Sequence, residues 1–523
     1  MHRCWEVAEL VQLIFEALDP YAAGVYRVEG IGQLKASTLF RLAQTCRQLC
    51  EPALDVLWRT NEGLILLLKC LPTDTWEIRD GYFEIVSPIQ SKDWERFLLY
   101  SRRVTTFSAC DRDIVVGSSA LESMISLPPG TLLPNVQGLS CKSSSVLFPY
   151  LTLLVGPRVT QLATFLDGPA FRISALQSIA RNFKSLEYVH LNTPVTHREM
   201  VRRYVPGFFM QIVPPRRLEI QGLNQAAYRH LATLPTIRSL ELLDLVELPF
   251  PSPCSFSDTT FPVLDELKIQ ASSPFFATNF LSVFDKAPFT LLSIAASKNS
   301  TVSNSLSLFF AVCAACIPAT LVKLHIYLCE DNKTVLSNCQ AYAMTFDMIQ
   351  PLTVYSNLRR VSLVCPLGFE LDNKSVETLG RAWPQLECLC IVGDFSAVLV
   401  HGSYPTLAAV LSLARHCPLL QDLCLAVDAR VVPEAANLAT SYSTALINWD
   451  PVESPINCPN SPAELLGRVF PALSIEYKSQ TWAKVDTLLT NYKETKTSRG
   501  SCVTREFLGQ GIVESHYDCT PSI

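Results

Sequence analysis

A short apolar pattern recurs along most of this chain. With Φ for an apolar residue, the hexapeptide Φ-x-x-Φ-x-Φ occurs as LEYVHL, IRSLEL, LDELKI, LVKLHI, LRRVSL, LECLCI and LQDLCL. Weaker copies such as NVQGLSC, RVTQLAT, RRLEI, FTLLSI and FPALSI fit the same register, and RVTTFSA begins the series near residue 104. Alternation of apolar and polar residues over a few positions is typical of a half-buried strand. The sequence therefore predicts many short strands of one kind.

The spacing of these strands limits the architecture. With the second Φ as an anchor, successive anchors lie 22 to 37 residues apart, and they are Leu139, Leu162, Val189, Leu218, Leu240, Leu267, Leu292, Leu324, Val361, Leu389 and Leu423. Proline stands two residues before several copies, as in LPTI and WPQL, and helical stretches such as SVETLGRAW and LAAVLSLARHC lie between copies. Since proline disfavours helix in the residue before it, each unit is predicted to be a helix end, a turn and a strand. One such unit cannot bury both faces alone, so the units must stack.

This arrangement resembles the leucine-rich-repeat family over residues 104–478. The resemblance implies an α/β solenoid with parallel strands on the inside and helices on the outside. The repeats are irregular, and most lack the asparagine that usually follows the strand in that family.

The first 60 residues carry a different pattern. Apolar residues recur at helical spacing in 5–18 and again in 39–49, and the polar, glycine-containing stretch 19–37 is predicted to be a loop. Because proline is tolerated in the first turn of a helix, a third helix is expected to start at Pro52. Helices this short are marginal alone, so the segment needs something to pack against.

The same segment resembles the F-box family. EVAELVQLIFEALD is similar to its first helix, and STLFRLAQTCRQLCEPALDVLWRT is similar to its second and third. The ensemble looks in particular like the F-box and leucine-rich-repeat proteins of mushroom-forming fungi. The resemblance implies docking on the Skp-type adaptor of a cullin-based ubiquitin ligase, while the repeats capture a protein substrate. By resemblance, the residues divided between the family's own core and the adaptor are Leu10, Val11, Ile14, Phe15, Leu18, Leu42, Cys46, Leu54, Leu57 and Trp58. The alternative is a plain N-terminal cap on the solenoid.

Four regions are therefore expected. Residues 1–60 form the F-box-like module, 61–103 a helical linker or cap, and 104–478 the solenoid. In 479–523, a capping helix around Trp482 to Leu489 precedes a disordered tail.

Polar residues beside each anchor are candidates for substrate contact. In a strand, the residues before and after the second Φ point away from the buried side. These pairs are Tyr188 and His190, Arg217 and Glu219, Ser239 and Glu241, Glu266 and Lys268, Lys323 and His325, and Arg360 and Ser362. Such a mixed surface either binds a protein or is an ordinary solvated face.

Composition argues against several classes of partner. With 49% hydrophobic and 17% charged residues the chain can bury a large core, and its net charge of -5 predicts no nucleic-acid or membrane binding. Glu6, Glu9 and Glu16 interrupt the N-terminal apolar stretch, which is unlike a secretory signal. The uncharged run 306–322 approaches the length of a membrane span, but Pro318 interrupts it, so a buried helix is expected instead. We expect an intracellular protein, cytoplasmic or nuclear.

Residues that could support catalysis or metal binding are sparse. The eight histidines form no His-Glu-x-x-His motif, and no Gly-x-Ser-x-Gly motif or phosphate-binding glycine loop is present. CAAC at 313–316 and CLC at 388–390 are the best metal or redox candidates, but cysteine is most often simply buried. We therefore expect reduced thiols, no metal and no cofactor.

Three classes of function remain in competition. A ubiquitin-ligase substrate receptor requires adaptor binding, and a repeat scaffold does not. An enzyme would require a cluster of polar side chains that the sequence does not show.

Overall fold

The computed structural model describes residues 8–21, 31–110, 113–221, 225–245, 261–297, 302–329, 344–365, 368–393, 404–433, 445–452, 454–476 and 479–498. Three helices come first, and a long alternation of strands and helices follows.

The first three helices form a small core of their own. They are α1 (Ala8–Ala17), α2 (Ile31–Ala43) and α3 (Arg47–Arg59). Both α1 and α2 pack on α3. The side chains that they bury together are Val11, Phe15, Leu39, Leu49, Ala53 and Val56. This core is separate from the core of the following chain, and we call the three helices the N-terminal module.

The position of α2 differs from the prediction. The helix begins at Ile31, inside the stretch 19–37 that was expected to be a loop, and it ends at Ala43 instead of continuing to residue 49. At this end of the helix, the Thr45 hydroxyl donates to the Leu42 carbonyl at 2.7 Å. Threonine side chains commonly compete with the helix for backbone partners in this way.

The predicted start of the third helix at Pro52 is wrong. Instead α3 starts at Arg47, directly after the extended Cys46 with its φ of −158°, and contains Pro52 in its interior. A proline inside a helix removes one backbone hydrogen bond and costs about 3 kcal/mol. Leu49 and Val56, on either side of the proline, are buried. Burying such side chains stabilises by about 1.5–3 kcal/mol each, which offsets that cost.

Strands account for much of the remaining chain. In chain order they are β1 (Thr60–Glu62), β2 (Trp76–Arg79), β3 (Tyr82–Ile85), β4 (Thr106–Ala109), β5 (Val115–Val116), β6 (Gly138–Lys142), β7 (Gln161–Phe165), β8 (Tyr188–Asn192), β9 (Arg217–Gln221), β10 (Ser239–Leu245), β11 (Glu266–Ala271), β12 (Leu291–Ser297), β13 (Lys323–Cys329), β14 (Met344–Thr345), β15 (Arg360–Cys365), β16 (Phe369–Glu370), β17 (Cys388–Gly393), β18 (Asp422–Leu425), β19 (Asn448–Asp450) and β20 (Ser474–Ile475). Fifteen of them form one parallel sheet in the order β1-β4-β6-β7-β8-β9-β10-β11-β12-β13-β15-β17-β18-β19-β20.

Helices connect most of these strands. They are α4 (Ile65–Leu68), α5 (Trp94–Ser101), α6 (Ser118–Ile125), α7 (Leu151–Leu154), α8 (Ala170–Ile173), α9 (Ala175–Asn182), α10 (Arg198–Phe209), α11 (Gln225–Ala232), α12 (Pro274–Leu281), α13 (Val302–Ala315), α14 (Phe346–Ile349), α15 (Asn373–Ala382), α16 (Leu407–His416), α17 (Asn460–Val469) and α18 (Gln480–Ser498). The two predicted helical stretches SVETLGRAW and LAAVLSLARHC lie almost entirely within α15 and α16.

The predicted anchors form one row across the large sheet. From Leu139 to Leu423, each anchor is the Cα partner of the next. The row continues to Phe107 and Asn61 at one edge and to Trp449 and Ile475 at the other. Every side chain in this row is at most 3% exposed. The predicted strand register is confirmed.

The anchors and the helices share one continuous core. Buried side chains of the helices, such as Val376 and Leu379 of α15, belong to the same apolar cluster as the anchors. Helices therefore cover the anchor side of the sheet, and we call the opposite side the open face. This is the predicted α/β leucine-rich-repeat type of solenoid.

The segment 61–103, for which we expected helices, also contributes strands. Its first residues complete β1, which is an edge of the large sheet. Farther on, β2 and β3 form an antiparallel hairpin that also pairs with β5. The hairpin turns at Asp80 and Gly81, whose φ values are 51° and 82°. Two positive φ values in a two-residue loop match a type I′ turn.

The uncharged run 306–322 is divided between two elements. Its first part completes α13, where Leu308, Phe309 and Val312 are buried, and its end leads into β13. Within the described ranges, no helix is both long enough and apolar enough to span a membrane.

The last described helix, α18, covers the end of the sheet. Its Trp482 is 1% exposed and packs edge-on against Trp449, with ring centroids 5.3 Å apart. The tail after residue 498 lies outside the described residues.

Candidate functional site

Burial divides the predicted adaptor-binding residues into three groups. Val11 and Phe15 are at most 6% exposed and belong to the core of the N-terminal module. Leu10 is 44% exposed. The half-buried residues are Ile14, Leu18, Leu42, Cys46, Leu54, Leu57 and Trp58. Of the predicted set, Leu10 is therefore the side chain most accessible to a partner.

Three other apolar side chains of the module are more exposed than Leu10. Leu13 on α1 is 61% exposed, and Leu34 and Phe40 on α2 are 66% and 54% exposed. The sequence analysis did not single them out, although Leu13 lies three positions after Leu10 and shares its face of the helix. We call Leu10, Leu13, Leu34 and Phe40 the exposed apolar set. Exposed apolar side chains on two short helices are candidates for contact with a partner.

The end of α3 is attached to the solenoid. Its Trp58 ring stacks on Tyr100 of α5, with centroids 4.9 Å apart and an interplanar angle of 26°. The guanidinium of Arg103, which follows α5, donates to the carboxylates of Glu51 and Asp55 on α3. Of the predicted adaptor residues, Trp58 thus packs toward the solenoid.

The predicted substrate-contact residues lie in two rows on the open face. Neighbours within a row are Cα partners on adjacent strands. The first row contains Tyr188, Arg217, Ser239, Glu266, Leu291, Lys323 and Arg360. The second row contains His190, Glu219, Glu241, Lys268, Ser293, His325 and Ser362.

One group of this face is organised around Glu219. Its carboxylate accepts a hydrogen bond from the Tyr188 hydroxyl at 2.9 Å and lies 2.7 Å from His190 Nδ1 and 3.5 Å from Arg217 Nε. The Arg217 guanidinium lies over the Tyr188 ring, 5.6 Å from its centroid. The hydrogen bond with His190 lowers the pKa of Glu219, against the effect of burial. The carboxylate is therefore ionised and already satisfied by its neighbours.

Farther along the sheet, the balance of charge becomes positive. Lys268 Nζ is paired with Glu241 Oε2 at 3.1 Å. Lys323 and Arg360 are exposed, lie directly opposite each other on β13 and β15, and have no ion-pair partner among the described residues. Burial, and then the charges of Lys323, Arg360 and Lys268, lower the pKa of His325. Within the described part of the chain, two cations without an ion-pair partner thus lie beside a neutral imidazole and are available to bind another molecule.

The cysteines are free thiols throughout the part of the chain that the structure describes. In the CAAC stretch, burial raises the pKa of the Cys313 thiol and raises that of Cys316 to about 12. In the CLC stretch, Cys388 and Cys390 share a face as predicted, and the register places Cys390 beside Cys424. No group of three His, Cys, Asp or Glu side chains in the described ranges is arranged to hold a metal ion.

Comparison with known proteins gives weak similarities in structure alone. No protein-family model and no curated protein matches the sequence. The leucine-rich-repeat-containing protein LegL7 from Legionella pneumophila is 16% identical over 52% of this chain and 86% of its own, with a TM-score of 0.28. A chain of the Rad7 and Elc1 complex in yeast is 14% identical over 76% of this chain and 92% of its own, with a TM-score of 0.28. Similarities this low carry no argument about function.

Proposed function

We propose that this protein is the substrate-recognition subunit of a Skp-cullin-F-box ubiquitin ligase. The N-terminal module docks on a Skp-type adaptor and, through it, on a cullin, and the open face binds a protein substrate. The observation that carries this proposal is the exposed apolar set on a module with its own core. The role is one of binding, not catalysis, and it places the protein in the cytoplasm or the nucleus.

The way the module is attached supports docking. Because α1 and α2 pack mainly on α3, and α3 is held to the solenoid by Trp58 and Arg103, the two outer helices can meet a partner without disturbing the repeats. Exposed Leu and Phe side chains lose contact with water when a partner covers them, which stabilises a complex.

The open face supports substrate binding mainly near β13 and β15. The carboxylates of Glu219 and Glu241 are already paired with neighbouring residues. By contrast, Lys323 and Arg360 are exposed and have no such partner in the described residues. We therefore expect substrate contacts to depend more on these two cations than on the two glutamates.

A repeat scaffold without a ligase role is the second candidate. Its supporting observation is the junction, since Trp58 and Arg103 couple α3 to the solenoid as a cap would. In this case the module has no affinity for the adaptor and serves only to cover the first repeat.

Adaptor binding by the full chain distinguishes the two candidates. We would measure affinity for a purified Skp-type adaptor by calorimetry, with Leu13→Asp and Phe40→Asp as test variants. Phe275→Asp on α12 is the matched control, because Phe275 is 54% exposed, as Phe40 is. We expect each test variant to lose affinity at least about tenfold, as central apolar side chains of interfaces do, and the control to bind normally.

Point variants are preferable to removal of residues 1–60. Such a deletion would also remove Trp58 and the first residue of β1, which belong to the packing of the solenoid. If the wild-type chain shows no adaptor affinity, the scaffold role is favoured. Normal binding by both test variants would instead refute docking through the exposed apolar set, and circular dichroism verifies that each variant is folded.

A further inference from the structure

A pair of thiols lies side by side on the open face. Cys390 on β17 and Cys424 on β18 are Cα partners, and adjacent strands are about 4.8 Å apart. Each cysteine follows a buried anchor, Leu389 or Leu423, so both point to the open face. Both thiols are half-buried. Disulfides join cysteines whose Cα atoms are about 4.4–6.8 Å apart, so this spacing permits one.

Polar side chains extend this pair into a row across four strands. Ser362, Cys390, Cys424 and Asp450 are successive Cα partners. Ser362 and Cys424 flank Cys390 on the two adjacent strands, and Cys424 Sγ donates to Asp450 Oδ2 at 3.8 Å. The carboxylate of Asp450 is itself held by the backbone N–H of Val452, at 2.7 Å from Oδ1. The row thus contains a thiol pair with a fixed carboxylate at one end.

The surroundings make the two thiols unequal. The neighbouring Cys424, and then Ser362, lower the pKa of Cys390 despite burial. The interaction with Cys390, and then burial and the charge of Asp450, raise the pKa of Cys424. Nearby, burial is the main cause that raises the pKa of Cys388 to about 11. Since the thiolate is the nucleophilic form, Cys390 is the reactive member of the group.

We propose that Cys390 and Cys424 form a reactive dithiol that hydroperoxides oxidise to a disulfide on the open face. In the first step, written for hydrogen peroxide, the Cys390 thiolate attacks one oxygen, the O–O bond breaks, and the leaving hydroxide takes a proton from solvent to become water. Cys390 is then a sulfenic acid. Besides the thiolate and the peroxide, this step needs only a proton from solvent.

In the second step Cys424 closes the disulfide. Its sulfur attacks the Cys390 sulfur, the S–O bond breaks, and the leaving hydroxide takes a proton from solvent to become water. The Asp450 carboxylate, which accepts the hydrogen bond of Cys424, is placed to receive the proton that Cys424 loses, and solvent water then takes it from the carboxyl group. In total the two thiols lose two electrons and two protons, and one hydrogen peroxide becomes two waters. The reaction is independent of adaptor docking.

The test uses the full chain, reduced and then treated with hydrogen peroxide. We expect an intact mass lighter by two hydrogens and a disulfide between the tryptic peptides 382–415 and 416–430. These peptides also contain Cys388 and Cys417, so fragmentation spectra and variants must assign the bond. Cys390→Ser should abolish the link, and the matched control Cys388→Ser should leave it unchanged.

Two further variants separate the steps. Cys424→Ser should stop the reaction at a sulfenic acid on Cys390, which dimedone traps, and Asp450→Asn should slow closure without preventing that trapping. Circular dichroism verifies that each variant is folded. A disulfide that persists in Cys390→Ser, dimedone labelling of Cys388 instead of Cys390, or thiols that stay reduced while glutathione in the same solution is oxidised would each overturn the proposal.

Discussion

Replacing Leu389 by alanine tests whether the anchor row holds neighbouring repeats together. Leu389 is 1% exposed and lies between Val361 and Leu423 on the adjacent strands. Truncation of a buried leucine removes its transfer free energy and leaves a cavity, which together cost about 2–5 kcal/mol. We expect a loss in this range in the free energy of unfolding, measured by urea denaturation.

The location of the loss is as informative as its size. In a solenoid each repeat contacts only its neighbours, so the damage should be local. Hydrogen exchange should show the amides of β15, β17 and β18 losing protection first, while β6 to β8 remain protected.

Glu241→Ala is the control on the opposite face of the sheet. Glu241 is half-buried and pairs with Lys268 at 3.1 Å, a partly exposed pair whose loss should cost at most about 0.5 kcal/mol. Equal losses in the two variants would refute the assignment of the buried and open faces. Loss of protection spread evenly over the sheet would refute the local coupling.

Three further predictions concern single polar side chains. The hydrogen bond with His190 lowers the pKa of Glu219 in the folded state. The stability that ionised Glu219 gives the fold is therefore present above the unfolded pKa of about 4.3 and is lost as the pH falls toward the folded pKa. Glu219→Gln should therefore flatten the pH dependence of the unfolding free energy between about pH 5 and pH 3, and an unchanged slope would contradict this. Arg103→Ala removes the hydrogen bonds to α3, so limited proteolysis should cut between the N-terminal module and the solenoid faster than in wild type, with little change in the thermal unfolding of the solenoid. Asp372→Ala removes the side chain that accepts from the Ser375 N–H at 2.7 Å and caps α15. Urea denaturation should show a loss of about 1 kcal/mol, and no loss would argue against the cap.

The repeat pattern contained most of the information about the solenoid. An anchor such as Leu324 is flanked by polar residues at alternate positions, and this alternation alone indicates which side of a strand is buried. Because every copy has the same pattern, the copies align on one another, and the Cα register follows. The open-face positions of Tyr188 and Arg360 could be predicted for the same reason.

Elements without the pattern escaped prediction. The edge strand β1 has the polar Asn61 at its anchor position, and β19 has Trp449 in a stretch unlike the other copies. The β2–β3 hairpin did carry a local signal, Asp80-Gly81, which is among the strongest for a two-residue turn. The helix boundary lies between α2 and α3, beside Thr45, and not at Pro52, where it was expected. Burial of side chains on both sides of Pro52 offsets the cost of a proline inside α3.

The sequence by itself determined the strand register, the buried face and the alternation of strand and helix, since these follow from local periodicity. Only the tertiary structure decided which apolar side chains of the N-terminal module are covered: Phe15 is buried, whereas Leu13 and Phe40 are exposed. It also brought Cys390 beside Cys424, although 34 residues separate them in the chain. The physical reason is the same in both cases. The type of an amino acid determines whether its side chain favours burial or can react as a thiol. The neighbour that covers the side chain or reacts with it comes from a distant part of the chain.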